Sequence, residues 1–371
     1  MKKLTAALLV LCMAFSFCAC GLLGDNEREI VGRHYDGNTQ PDRKIIYKPS
    51  DYESLVKSLY TMFSGGIESC TLRFFGYKGD VENDYKKACD EVLRTAIGKY
   101  AVYELTGKVE KVVTYYEANV SVAYKISTAK MSEMFFISDR DDMKNAAEKL
   151  LRDGKDSASV FIEPGAAEYA DIGAFIAAAH MKYPTYTVLP PSVSVSDIYD
   201  GDDTEGSIIS VKLSYPETDE DRAEKLVLLN ETLNAAESSV TGRSDSEKLK
   251  NAAETLVSEL SYVRQSESRS VDDTPYGALV EKRASSKGIA LGFKALCDKL
   301  GIYCIAVSGK QGAEAHFWNI VAIDGEYYHI DASMMILDEN AEKLFFSDAE
   351  MESAFEWDRD QYPKCESEYP A

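Results

Sequence analysis

The sequence predicts an α+β protein in which two tandem small α/β repeat units precede a C-terminal domain with a helix packed on an antiparallel sheet. Three observations predict it. The order helix, strand, helix, strand, strand occurs twice, counted from Ser50 and again from Ser138, a period of about 88 residues. Further on, a helical run over 289–300 closes on Gly301, a residue suited to the left-handed conformation that ends helices. Beyond it, Asp324-Gly325 separates two alternating apolar runs, the pattern of a hairpin with a two-residue turn. The composition agrees, since 371 residues with 45% hydrophobic and 28% charged side chains suffice for two or three folded domains at about 150 residues each. Lys and Arg number 41 against 62 Asp and Glu, and a net charge of -21 repels phosphate backbones, so nucleic acid is excluded as a partner. After residue 20 no run approaches the roughly 20 apolar residues needed to span a bilayer.

The first residues read as an export signal, 1–19, because Lys2 and Lys3 precede an apolar run over 4–17 and then the small residues Ala19, Cys20 and Gly21. Ala19-Cys20 resembles the end of a bacterial lipobox, where a lipid joins the cysteine that becomes the new N-terminus. Acyl chains on Cys20 would hold the protein to the membrane from the extracytoplasmic side, whereas ordinary cleavage nearby would release it. Residues 20–49 are polar, without a periodic apolar face, and suit a tether.

The first repeat unit is expected over 50–130 and the second over 131–217. Ser50 with Glu53 and Ser138 with Asp141 have capping-box spacing, as do Thr218 with Asp221 and Ser244 with Glu247. In the first unit the elements fall at 55–63, 70–75, 85–97, 111–116 and 120–126; in the second, at 143–151, 157–162, 169–180, 193–198 and 208–213. Residues 218–371 form the last domain. It begins with two helices separated by Gly242, whose Leu226, Leu229, Leu233, Leu249, Ala252, Leu256 and Leu260 recur at core spacing. Five cysteines lie beyond Cys20, at 70, 89, 297, 304 and 365. A Cys70 to Cys89 bridge and buried free thiols are both compatible with the pattern, and no spacing indicates a metal site or a cofactor.

Residues 276–333 carry the chemistry. Ser286 opens the helix that ends at Gly301, where amide donors and the helix dipole favour negative charge; a capping role is the alternative. With Asp324-Gly325 as the turn, His316 faces Ser333 and Trp318 faces Asp331. His316 and Asp331 are then diagonal neighbours on one face, about 7–8 Å apart at the backbone and within side-chain reach. An imidazole oriented by a carboxylate is the base and acid pair of a hydrolase triad.

Tyr276-Gly277-Ala278-Leu279, the helix around Gly288, Leu300-Gly301-Ile302, His316-Phe317-Trp318-Asn319 and Tyr328-His329-Ile330-Asp331 together resemble the transglutaminase-like superfamily. Trp357-Asp358 and Tyr362-Pro363-Lys364-Cys365 resemble the tail of its secreted bacterial members, so the likeness covers about 244–371. It implies a papain-like architecture. It also implies a nucleophile at 286, a base at His316, an acid at Asp331, and a groove lined by Trp318, Gly288 and Asn319. The family's nucleophile is cysteine, and this chain has Ser286. Cys297 cannot substitute, since eleven residues along a helix is about 16 Å. A thiol beside histidine rests as thiolate and imidazolium, while a serine hydroxyl stays protonated until it attacks. The departure implies a catalytically silent domain that binds an extracellular peptide, glycan, protein or cell-wall ligand. An active serine hydrolase or acyltransferase using Ser286, His316 and Asp331 is the alternative, and a third reading makes the repeat units the working part and the last domain a scaffold.

Overall fold

The computed structural model describes residues 29–31, 44–264, 270–337 and 343–370. The expected export signal and the lipid-bearing Cys20 lie outside these residues, as does most of the tether. No helix among the described residues is long and apolar enough to cross a membrane. The chain divides into two compact units. One takes the described residues up to Ser138 with 159–167 and 197–209; the other takes 139–158, 168–196 and the described residues from Ser210 onward.

In the first unit, β1 (Glu29–Val31), β2 (Lys44–Tyr47), β3 (Ser69–Phe74), β4 (Val102–Val112) and β5 (Tyr115–Tyr124) form a sheet of order β1-β2-β3-β5-β4. Strands β2 and β3 run parallel, while β3, β5 and β4 are antiparallel. Helices α1 (Tyr52–Ser64) and α2 (Val81–Arg94) bury Leu55, Leu59, Met62, Phe63, Ala88 and Val92 in one core with Leu72 and Phe74. The cap of α1 is Asp51, not Ser50. Its carboxylate accepts from the Ser54 amide, and the Ser54 hydroxyl accepts from the Asp51 amide. A carboxylate also meets the helix dipole with a full charge, which a hydroxyl does not. The strand expected at 111–116 instead spans the β4–β5 hairpin turn, with Lys111 and Val112 ending β4, Tyr115 and Tyr116 opening β5, and Val113 between them at a φ of 45°. Strand β4 is an edge strand with most of its side chains exposed, so burial imposes no alternation for a sequence reading to detect. Cys70 and Cys89 are free, and the Cys70 thiol meets the Met62 sulfur at 3.5 Å.

A helix α3 (Ala96–Ala101) and α4 (Thr128–Glu133) precede β6 (Phe135–Ile137), α5 (Arg140–Arg152), β7 (Ser157–Ile162), α6 (Ile172–Lys182), β8 (Ser192–Tyr199) and β9 (Ser207–Ser214). The second sheet has the order β6-β7-β9-β8, matching β2-β3-β5-β4, and in both the leading strand pairs parallel with the next. Asp139 rather than Ser138 caps α5, for the same reason as at α1.

Helices α7 (Asp219–Ser239) and α8 (Asp245–Val257) start on Thr218 and Ser244 as the spacing predicts, the second with a complete capping box. Leu229, Leu233, Leu249, Ala252, Leu256 and Leu260 are buried with Phe293 and Leu296 of α9 (Ser286–Leu300). That helix is packed against an antiparallel sheet made of β12 (Cys304–Gln311), β13 (Glu314–Ile323), β14 (Glu326–Ile330) and β15 (Phe355–Trp357), in the order β14-β13-β12-β15. The protein is therefore mixed α+β. Asp324 and Gly325 both have positive φ, 52° and 89°, as the tight turn requires. The β13–β14 register is the predicted one, Ile323 opposite Glu326 through Asn319 opposite Ile330. The ladder stops there, so His316 and Ser333 are not strand partners.

His180 in α6 is 3% exposed, and among the described residues neither ring nitrogen has a hydrogen-bond partner. Burial, with the Lys287 charge adding to it, pushes its pKa down to about 4. The unfolded chain takes up this proton near pH 6.5 and the folded chain only near 4, so between these values the unfolded state binds more protons and stability falls as pH falls. A drop of about 3 kcal/mol is expected across that window from this group. In denaturant titrations at pH 6.5 and pH 4, His180→Leu should lose less stability than the wild type. An identical loss in both would show that the group is solvated.

Candidate functional site

The site is assembled where α9 begins. Ser285, in extended conformation, is the N-cap: its hydroxyl accepts from the Gly288 amide at 3.3 Å and donates to Asp273 Oδ1 at 2.5 Å. Ser286 is thereby relieved of capping and becomes the first helical residue. Gly288 is required because a Cβ there would collide with the Asp272 carbonyl, which also accepts from the Ser285 amide at 2.9 Å. The start of the helix is thus seated closely on the segment before it.

Ser286 Oγ accepts from the Phe317 amide at 3.3 Å. Phe317 is paired with Ser308 of β12, but strand β14 ends opposite Asn319, so on that side it is Ser286 that meets the Phe317 amide. On its other side, two-residue strands β10 (Ser261–Tyr262) and β11 (Arg283–Ala284) pair parallel with Tyr262 opposite Ala284. This brings the Tyr262 phenol to the neighbourhood of Ser286. Burial and then the Asp331 charge hold the phenol above its ordinary pKa, while Ser286 pulls the other way. Tyr262 was not identified from the sequence, because a two-residue strand has no periodic signal.

His316 and Asp331 meet as the register predicts. His316 Nε2 lies 2.7 Å from Asp331 Oδ2, and Asp331 Oδ1 accepts from the Ser333 amide at 2.9 Å and the Ser333 hydroxyl at 2.6 Å. Both side chains are buried. An ionised carboxylate can only accept, so Nε2 carries the proton and Nδ1 keeps its lone pair. Among the described residues no hydrogen bond joins Ser286 to His316, although the Phe317 amide bonded to Ser286 belongs to the very next residue.

A cleft of about 450 Å³ opens at Ser286, walled by Arg264, Lys287, Asp273, Glu314 and Phe317. It presents charges of both signs. Trp318, Gly288 and Asn319, expected in the groove wall, are buried behind it instead. Trp318 is 1% exposed, and the Asn319 amide donates to the Ala290 carbonyl at 2.9 Å, tying β13 to α9. Side chains alternate across a strand, so of 316 to 319 only Phe317 reaches the cleft, as Ala315 does two residues earlier, and His316 is buried behind the wall.

His329, Asp348 and Cys365 bring three possible metal-ligating atoms within 4.8 Å of one another. The donor set does not fit a metal. Trp318 Nε1–H donates to His329 Nδ1 at 2.9 Å, so the proton sits on Nε2, the nitrogen that faces Asp348 Oδ1 at 2.7 Å. A protonated nitrogen has no lone pair to give, and burial pushes the Cys365 thiol up to about 12.

No family model and no curated protein matches the chain. Among solved structures it is similar to a TGase, with 14% identity and a TM-score of 0.29 over 60% of this chain and 63% of that one. It is also similar to a candidate cysteine protease from Cytophaga hutchinsonii, with 13% identity and a TM-score of 0.26 over 38% of this chain and 64% of that one. A candidate protease from Parabacteroides distasonis ATCC 8503 is similar at 10% identity and a TM-score of 0.23, over 70% of this chain and 40% of the other. The chain spans less than two thirds of the length of each.

Removing the Asp331 carboxylate leaves the His316 Nε2–H and two Ser333 donors buried without an acceptor. Asp331→Ala should destabilise the fold by about 3–5 kcal/mol, read by denaturant unfolding. A cost under about 1 kcal/mol would mean that water reaches these groups.

Proposed function

We propose that this chain is an exported lipoprotein, anchored outside the cytoplasm through a lipid on Cys20, with a transglutaminase-like C-terminal domain of papain-like architecture that binds a ligand without turning it over. One observation carries the reading. Ser286 Oγ accepts from the Phe317 amide, and among the described residues no hydrogen bond joins it to His316, while His316 and Asp331 keep the geometry of a base and its orienting acid. A cysteine at 286 would not need that missing bond in the same way, since its proton can pass to the imidazole before any substrate arrives. A serine must lose its proton during attack, through a direct contact with the base. The mixed charges of Arg264, Lys287, Asp273 and Glu314 suit a polar, extended ligand such as a peptide, a glycan or a segment of cell-wall polymer. A protein partner presenting such a segment fits equally.

The intact 2.7 Å His316–Asp331 bond favours a second reading, an active serine hydrolase or acyltransferase. In that chemistry the Ser286 oxygen attacks an acyl carbon as its proton passes to His316. The proton then goes to the departing amine, and water or another amine releases the acyl group.

The two readings separate on the mature protein. Amide hydrolysis and amine transfer should be undetectable, and a fluorophosphonate should leave Ser286 unlabelled. Turnover that Ser286→Ala abolishes would establish the enzyme instead. For the anchor, Cys20→Ser should move the protein from the membrane fraction to the soluble one, and an unchanged distribution would contradict lipidation.

A further inference from the structure

We propose that His329 is a positioning residue of the buried His316–Asp331 pair: through one hydrogen bond it fixes the Trp318 indole, and the indole fixes the ring of His316. The inference rests on reading that pair as part of the functional site. Its physical content, that one imidazole holds another through an indole, is separate.

Trp318 lies against His316 with ring centroids 6.1 Å apart and planes 25° from parallel, and Phe355 packs on both rings at 5.3 Å. Room for the indole comes from Gly309, where a Cβ would collide with the Trp318 ring. Packing alone would allow the indole to slide or flip within its plane. Its Nε1–H removes that freedom, because at 1% exposure it needs a buried acceptor and His329 Nδ1 is that acceptor. His329 is itself held from every side. Its backbone exchanges two 2.9 Å bonds with Phe346, and Nε2–H donates to Asp348 Oδ1. Asp348 is clipped to the C-terminal segment, its Oδ2 accepting from the Cys365 amide at 3.2 Å and its own amide donating to the Cys365 carbonyl at 2.8 Å. The result is a chain of contacts, Cys365 to Asp348 to His329 to Trp318 to His316.

The arrangement works only while Nδ1 is unprotonated. The groups facing His329 set when that holds: burial and Arg359 disfavour the imidazolium, Asp348 favours it, and the Cys365 thiol is neutral. Burial prevails, so the His329 pKa is below its ordinary value. Once a proton arrives at Nδ1, two N–H groups face each other and the indole must leave. His316 then loses its flat neighbour.

The two tryptophans of the chain both report on this residue, Trp318 through its hydrogen bond and Trp357 through a ring contact at 5.0 Å. Intrinsic fluorescence of the full-length protein should therefore fall on acidification with a midpoint below pH 6.5, since an imidazolium quenches indole emission. His329→Gln should abolish that transition and keep the geometry, because its amide carbonyl can accept from Trp318 and its amino group can donate to Asp348. His329→Leu can do neither. In nitrogen-15 spectra of the imidazoles, the His316 signals should move in His329→Leu and stay near the wild-type values in His329→Gln. A folded His329→Leu with unmoved His316 signals would overturn the proposal. Should that variant not fold, a wild-type emission that His329→Gln leaves unchanged would overturn it as well. Ligand binding and turnover do not enter these readouts, so failure of the functional reading shows separately.

Discussion

A carboxylate buried at Asp331 is the constraint on which the rest of the C-terminal domain depends. Taking such a charge out of water costs several kcal/mol unless donors surround it, and here three do: His316 Nε2–H, the Ser333 amide and the Ser333 hydroxyl. Satisfying it fixes several things together. The chain must turn just after β14 so that Ser333 folds back. The register of β13 on β14 must hold, since a slip of one residue would send His316 to the opposite face. The imidazole must take the tautomer with Nε2 protonated, and that leaves Nδ1 as its basic nitrogen.

Position 286 meets this apparatus from the other side. Ser285 takes the capping duty through Gly288 and Asp273, which frees the next hydroxyl to face β13. What Ser286 finds there is the Phe317 amide, with the Tyr262 phenol nearby. Oxygen is a better hydrogen-bond acceptor than sulfur, so that amide engages a serine more strongly than it would a thiol. The serine is thus tied to β13 at the wall of the cleft.

The parts of this arrangement that were legible in the sequence share a physical origin. The Asp324-Gly325 turn sets the hairpin register, and that register brings the chain at His316 and at Asp331 near each other just past the end of the ladder, where their side chains meet. The repeated strand order follows from elements with strong periodicity, 157–162 being predicted to the residue. Misplaced elements lack such signals. Strand β4 is exposed along most of its length, so its sequence carries no alternation, and the expected strand at 111–116 fell on a turn. Capping-box spacing points to Ser50 and Ser138, although the adjacent Asp51 and Asp139 bring a charge to the helix dipole. Trp318 and Asn319 were expected in the groove because a motif does not say which face of its strand is buried. Tyr262 reaches Ser286 through a two-residue pairing that only the fold creates.

The most direct test places sulfur at the position in question. In Ser286→Cys, the rate of thiol alkylation by iodoacetamide should follow a pKa well below the ordinary 8.5 or so of a free thiol, and His316→Ala in the same background should return it toward that value. A thiol that titrates normally, and does so whether or not His316 is present, would mean that residues 286 and 316 do not act on one another.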